Sequence, residues 1–187
     1  MTRRVAGLLL AAGAGRRYGG PKALAGTPDD PWLLRALRAL ADLPTTVVVG
    51  AEADRVAALA PAGTQVARNP AYRSGMGGSL RTGLLHLATA LDPADAALVL
   101  LVDLPGVDRA VVRRVAAAAT GPDVLARAVY GGRPGHPVLL GRDHWTGVCA
   151  VATGDRGARD YLRDRPVRAV ECGDLGHGED VDVPAAD

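Results

Sequence analysis

One lysine, Lys22, stands among 22 basic residues, the other 21 being arginine. An ammonium is a compact, flexible point charge, whereas a guanidinium is a rigid planar fork. Where arginine serves everywhere else, a single retained lysine marks a place that needs the compact charge. Lys22 closes the stretch Ala11-Ala12-Gly13-Ala14-Gly15-Arg16-Arg17-Tyr18-Gly19-Gly20-Pro21-Lys22, which follows the apolar run Val5–Leu10. A glycine loop after a buried strand aims backbone N–H groups at phosphate oxygens, and basic side chains in it neutralise phosphate charge. Two common loop types do not fit. A dinucleotide fingerprint would use Gly13 and Gly15, but Tyr18 occupies the third position, where a side chain blocks close helix–strand packing. A P-loop would use Gly15 and Gly20, but Pro21 precedes Lys22 and Ala23 replaces the metal-binding hydroxyl.

Further chemistry lies downstream. Asp103 directly follows the apolar run 97–102 and precedes Leu104-Pro105. A carboxylate at the carboxyl end of a buried strand points into the ligand crevice of an α/β sheet. Burying it alone is costly, and a metal ion is a suitable partner. Near the end, Asp180 and Asp182 alternate along an extended segment, so they face opposite sides and one of them reaches a metal. Asp182 is the expected one. Ser74-Gly75-Met76-Gly77-Gly78-Ser79 reads as a glycine turn opening a helix, whose free N–H groups and dipole favour an anion near Ser79. His86, His144 and His177 lack metal-ligand spacing and read as structural or surface residues.

These segments resemble one enzyme family. Leu10-Ala11-Ala12-Gly13, Arg17, Gly19 and Lys22 match the L-A-A-G-x-x-x-R-x-G-x-x-K signature of nucleotidyltransferases, and the chain is most similar to the branch holding molybdopterin cytidylyltransferases. Asn69-Pro70 with Gly75-Met76 and Ser79-Leu80, the D-x-P of Asp103, the final Asp180-Val181-Asp182, Gly135-His136-Pro137 and Gly154-Asp155-Arg156-Gly157-Ala158-Arg159 resemble further family segments in the family's order. The resemblance implies a three-layer α/β/α Rossmann-like fold with a mostly parallel sheet. It implies that Leu10, Ala11, Ala12, Gly13 and Lys22 wrap a triphosphate, while Asn69 and Ser79 shape the base and ribose pocket. Arg17, Lys22 and Asp103 are the implied catalytic residues, and Asp103 with Asp182 the ligands of Mg2+. His136, Asp155, Arg156 and Arg159 would meet a small phosphorylated acceptor. The implied reaction moves CMP from CTP to molybdopterin cofactor. The same branch leaves two alternatives open: guanylyl or other nucleotidyl transfer, and an oxidoreductase acting on a quinoid dye of nicotine breakdown. Leu104 departs from the family pattern, as do Val183 and the Ala185-Ala186 pair.

The elements that must position these residues alternate. Apolar runs at Val5–Leu10, Thr45–Val49, 65–67, 97–102, 124–129 and 167–170 read as strands. Helical spacing appears around Leu33 to Leu40, over 53–60, at Leu80, Leu84, Leu87 and Leu91, from the Asp108 cap through 119, and over 157–163. Alternation of this kind predicts an α/β domain with a mostly parallel sheet. The 187 residues, 48% hydrophobic and 22% charged, suit one globular domain, expected to span 1–187. A net charge of +2, without a basic block, argues against a nucleic-acid partner. No apolar run approaches the ~18 residues of a membrane span. The first apolar run leads straight into the glycine loop, so it reads as a strand and not a cleaved leader. Two cysteines without a CxxC pair fit free thiols in a reducing cytoplasm. A monomer or small homo-oligomer is expected.

Overall fold

The computed structural model describes residues 3–90 and 93–181. Nine strands and six α-helices are named among them: β1 (Val5–Leu10), β2 (Gly26–Thr27), β3 (Asp30–Pro31), α1 (Trp32–Ala39), β4 (Thr45–Val49), α2 (Ala53–Ala58), β5 (Gln65–Arg68), α3 (Met76–Ala88), β6 (Ala96–Leu101), α4 (Arg109–Ala116), β7 (Leu125–Tyr130), β8 (Arg133–Gly141), α5 (Trp145–Val151), α6 (Arg159–Leu162) and β9 (Arg168–Glu171). Seven strands form one sheet in the order β5-β4-β1-β6-β8-β7-β9, and β2 and β3 form a small separate ribbon. All sheet neighbours are parallel except those of β8, which runs antiparallel to both β6 and β7. The expected three-layer, mostly parallel architecture is therefore present.

Alternation along β1 explains the layers. Val5 and Leu9 point to one core with residues of α1, α2 and α4, while Ala6, Leu8 and Leu10 point to a second core with α3, α5 and α6. Burial on both faces is what makes the strand a continuous apolar run. Each fully buried leucine contributes about 1.5–3 kcal/mol of transfer free energy. Leu80, Leu84 and Leu87 form the buried stripe of α3 as their spacing predicts, and Leu91 lies outside the described residues. Asp108 caps α4, its Oδ1 accepting from the N–H groups of Ala110 (2.9 Å) and Val111 (3.0 Å).

The strand order reverses at β1: β4 and β5 lie to one side, β6 to the other. That switch point opens a crevice beyond the carboxyl ends of the strands, where ligands bind in such sheets. Two elements differ from expectation. β8 contains Pro134, Gly135 and Pro137 and so looks like a loop; it is a strand because the Gly131-Gly132 turn folds it back on β7. α5 is a short helix whose Trp145 is buried and donates from Nε1 to the Leu140 carbonyl at 2.9 Å.

Gly83 lets α3 approach the sheet. A Cβ there would stand 2.4 Å from Leu8 Cδ1 and 3.0 Å from Val48 Cγ2. Both neighbours are fully buried, so neither can step aside freely. Gly83→Ala is expected to lower unfolding stability by about 1–3 kcal/mol despite the better helix propensity of alanine. Urea denaturation checks this, and an unchanged midpoint would show that α3 does not press on β1.

Candidate active site

The glycine loop is pinned at both ends. As β1 ends, the Ala11 N–H donates to the Val48 carbonyl (2.9 Å), and the Ala12 carbonyl accepts from Ala51 N–H (3.0 Å). Further on, the Gly15 carbonyl gathers the N–H groups of Tyr18, Gly19 and Gly20 at 2.9–3.1 Å. Gly15 has φ 56°, and a Cβ there would sit 1.8 Å from the Gly20 carbonyl oxygen, so only glycine closes this turn. Tyr18 packs its ring against Trp32 at the start of α1, with centroids 5.2 Å apart. No α-helix follows the loop until Trp32. This is the physical reason why neither a dinucleotide fingerprint nor a P-loop applies, since both need a helix N-terminus at the phosphate.

Pro21 turns the chain into a single 3-10 turn at Lys22–Leu24. That turn brings Lys22 Nζ to 2.8 Å from Asp103 Oδ2, with the two side chains only 14% and 19% exposed. A cleft of about 710 Å³ opens over this pair. Leu10, Ala12, Gly13, Arg17, Lys22, Ser79, Asp103 and Asp155 line it, so most expected site residues meet in one place. Ala12 and Gly13 present the start of the loop to the cleft, and nothing lies within 4 Å of where a Gly13 Cβ would be.

Other expected residues stand elsewhere. Ala11 is 1% exposed and lies behind the loop with its N–H already used. Asn69 is buried; its Nδ2 donates to Ser79 Oγ (3.0 Å) and its Oδ1 accepts from Ala71 N–H (3.0 Å). It thus aims Ser79, which does line the cleft. Arg156 projects outward and pairs with Asp160 at 3.2 Å. Arg159 is exposed on α6, and His136 lies in the first half of β8. Asp182 lies outside the described residues. Asp180 lines the cleft, and the following Val181 N–H donates to the Asp103 carbonyl at 3.1 Å, tying the C-terminal segment to the site.

Two wall residues carried no signal in the sequence: Tyr72 and Arg73. Arg73 stacks over the Tyr72 ring at 5.4 Å, an ordinary cation–π contact. Gly75, with φ 103°, explains how the second wall forms. A Cβ there would sit 2.5 Å from the Gly154 carbonyl and 2.8 Å from Asp155 Oδ1. The two glycine-rich segments, far apart in the chain, therefore pack backbone to backbone and bring Asp155 to the cleft.

Burial pushes the His136 imidazole down to about 4, Arg159 and Arg127 push the same way, and Asp103 and Asp180 pull against them. An unfolded histidine titrates near 6.5. Between those values the unfolded chain binds the extra proton. This contribution to stability is therefore complete above about pH 6.5 and is lost as pH falls toward 4. The urea midpoint is expected to fall less between pH 7.5 and 5.0 in His136→Gln than in the wild type; parallel pH profiles would contradict it. Asn69→Ala is expected to lower stability by about 1–3 kcal/mol by leaving buried partners unsatisfied. A thermal melt without ligand reads that effect, and an unchanged Tm would remove Asn69 as the support of Ser79.

Comparison with known proteins agrees with this architecture. The sequence pattern of the MobA-like NTP transferase domain matches residues 7–170. Nicotine blue oxidoreductase of Paenarthrobacter nicotinovorans is 35% identical over 200 residues, covering 96% of this chain and 92% of that protein. The crystal structure of Rv0371c from Mycobacterium tuberculosis H37Rv superposes with a TM-score of 0.78 at 28% identity, covering 98% of this chain and 95% of that one. A manganese complex of Rv0371c superposes with a TM-score of 0.72 at 25% identity, covering 98% and 92%. The chain belongs to the MobA-like NTP transferase domain family, and the cleft over Lys22 and Asp103 lies in that nucleotidyltransferase fold.

Proposed function

We propose that this chain, as one domain spanning 1–187, transfers CMP from CTP to a phosphorylated acceptor, molybdopterin cofactor, and releases pyrophosphate in the cytoplasm. The observation that carries this reading is the Lys22–Asp103 pair, 2.8 Å apart under a glycine loop at the switch point of the sheet. An oxygen of the acceptor phosphate attacks the α-phosphorus, a new P–O bond forms, and the bond to the β-phosphate oxygen breaks. The negative charge leaves with pyrophosphate, so the step needs positioning and charge neutralisation more than a protein nucleophile.

The chain's residues divide that work. The Ala12 and Gly13 N–H groups face the phosphates from the loop. Arg17, exposed on the cleft wall, and Lys22 stabilise charge on the transferred and leaving groups. Ser79, held by Asn69, opens α3 toward the nucleoside. The donor set suits a hard divalent cation: Asp103 and Asp180 are carboxylates on the cleft wall, and Asp182 is two residues beyond Asp180. Among the described residues no three ligating side chains cluster, so water and phosphate oxygens would complete the shell. Bound there, Mg2+ would supply charge neutralisation and a template for in-line geometry. The manganese complex of Rv0371c supports a divalent ion in this fold. Ala12 gives mild support to CTP, because the guanylyl branch of the family usually has glycine at that place.

A second reading, hydride transfer, takes its support from the Paenarthrobacter relative. Against it stands the loop, which opens no helix for a dinucleotide pyrophosphate. Absorbance titration with NAD(P)H separates the two, since tight stoichiometric binding would favour the second. For the first reading, a thermal-shift panel of CTP, GTP and ATP with and without Mg2+ is expected to show a shift with CTP and Mg2+ that exceeds the rest. No shift with any triphosphate would overturn nucleotidyl transfer. Lys22→Arg is expected to lose at least about tenfold of the affinity for CTP although the charge is kept, because the planar fork is bulkier than the compact ammonium that stands 2.8 Å from Asp103. Equal affinity would show that only charge matters at position 22.

A further inference from the structure

β6, β7 and β9 all run the same way, because β8 reverses between β6 and β7. Their carboxyl ends therefore share the cleft side of the sheet. The chain leaves this sheet at Glu171, the end of β9, and still brings Asp180 to the cleft that Asp103 lines. β7 and β8 lie between β9 and β6. Three strand spacings amount to about 14 Å, whereas the stretch from Glu171 to Val181, extended, could reach about 33 Å. Length alone does not fix the path, so contacts must.

Those contacts follow one another along the segment. The Cys172 N–H donates to the Val129 carbonyl at 2.8 Å, and Arg114 of α4 donates to the Asp174 carboxylate at 3.0 Å. The Leu175 and Gly176 N–H groups turn back on the Cys172 carbonyl at 2.9 and 3.2 Å. Gly176 and His177 then pass the loop that follows Asp103. A Cβ on Gly176 would stand 2.3 Å from the Gly106 carbonyl oxygen, and one on Gly106 would stand 2.6 Å from the His177 ring. Gly178 next meets Tyr130 at the end of β7, where a Cβ would stand 2.4 Å from the ring carbon Cε2. The Val181 N–H then reaches the Asp103 carbonyl at 3.1 Å. Gly178 is two residues from Asp180, so the Tyr130 ring sets where that carboxylate enters the cleft.

Tyr130 is itself held in place. It is half-buried and packs against the α4-side core. The ring edge that meets Gly178 also meets Gly135 of β8, where a Cβ would stand 2.8 Å away. Its hydroxyl donates to the His136 carbonyl at 2.7 Å. A packed ring with its hydroxyl satisfied is a rigid seat.

We propose that Tyr130 is a positioning residue for the divalent cation: its ring seats Gly178 and so holds the Asp180 carboxylate in the cleft with Asp103. The inference rests on the reading that these two carboxylates take the ion accompanying the nucleotide. Residues behind metal ligands fix their orientation, and losing one costs about 10–100-fold in metal affinity. Gly178 is the matching half of the seat, since a side chain there displaces the segment from the ring.

The test uses the whole chain and Mn2+ alone as the probe, its free fraction read by electron paramagnetic resonance. Asp180→Asn sets the loss that belongs to the carboxylate. Tyr130→Leu removes the seat and is expected to weaken Mn2+ binding by about tenfold or more. Combined with Asp180→Asn it should add nothing further, because both act through one carboxylate. Tyr130→Phe keeps the ring and should stay within about threefold of the wild type. Gly178→Ala adds one methyl group, leaves β7 unchanged and should weaken binding as Tyr130→Leu does, which keeps the test open if the leucine variant does not fold. The proposal is overturned if the wild type does not bind Mn2+, or if Tyr130→Leu or Gly178→Ala binds it as the wild type does. It is equally overturned if the Tyr130→Leu and Asp180→Asn losses add in full, or if Tyr130→Phe loses as much as Tyr130→Leu. A protein that binds CTP but fails this test contradicts this inference alone. One that passes it without binding any triphosphate contradicts the proposed function instead.

Discussion

The site is organised around one ion pair. Lys22 comes from the end of the β1 loop and Asp103 from just past the end of β6, and their contact spans the switch point of the sheet. With the side chains mostly shielded, each charge depends on the other; removing one partner of a buried pair costs about 3–5 kcal/mol. The pair is also chemically exchangeable. A triphosphate offers the ammonium a better-charged partner, and a divalent ion offers the carboxylate one. A contact that ties the two sides of the cleft together is thus made of the two groups that a metal–nucleotide complex would engage.

Everything else in the fold serves to place these two groups and the wall opposite. Parallel pairing of β1 with β6, Leu10 level with Leu101, sets both strand ends at one height. The Gly15 turn and the Tyr18–Trp32 contact shape the loop so that Lys22 returns to the sheet. On the far wall, contact of Gly75 with Gly154 and Asp155 couples the start of α3 to the segment before α6. The Val181–Asp103 backbone bond draws the chain's end to the same point. Close backbone approaches recur at these joints, which is why glycine marks them.

Much of this was legible in the residues. Buried parallel strands advertise themselves as short apolar runs, so β1, β4 and β6 could be placed within a residue. The lone lysine and the carboxylate after β6 named the two halves of the ion pair. What escaped is nonlocal. β8 carries two prolines and two glycines, and only its pairing with two neighbours makes it a strand. The role of Asn69 changed because its amide is used up inside the fold, on Ser79 and Ala71. Arg156 and Arg159 look alike in sequence; Asp160, one turn along from Arg156, separates them. Of the two C-terminal carboxylates, Asp180 lines the cleft, whereas Asp182 lies outside the described residues.

The central claim is that Asp103 binds the metal that accompanies the nucleotide, while Lys22 binds the nucleotide itself. Calorimetric titration of CTP in Mg2+ and in EDTA tests it on the wild type, Asp103→Asn and Lys22→Met. The account predicts that Mg2+ tightens binding about tenfold or more in the wild type, that Asp103→Asn erases this difference, and that Lys22→Met weakens binding under both conditions. Full metal dependence in Asp103→Asn, or undiminished affinity in Lys22→Met, would contradict it.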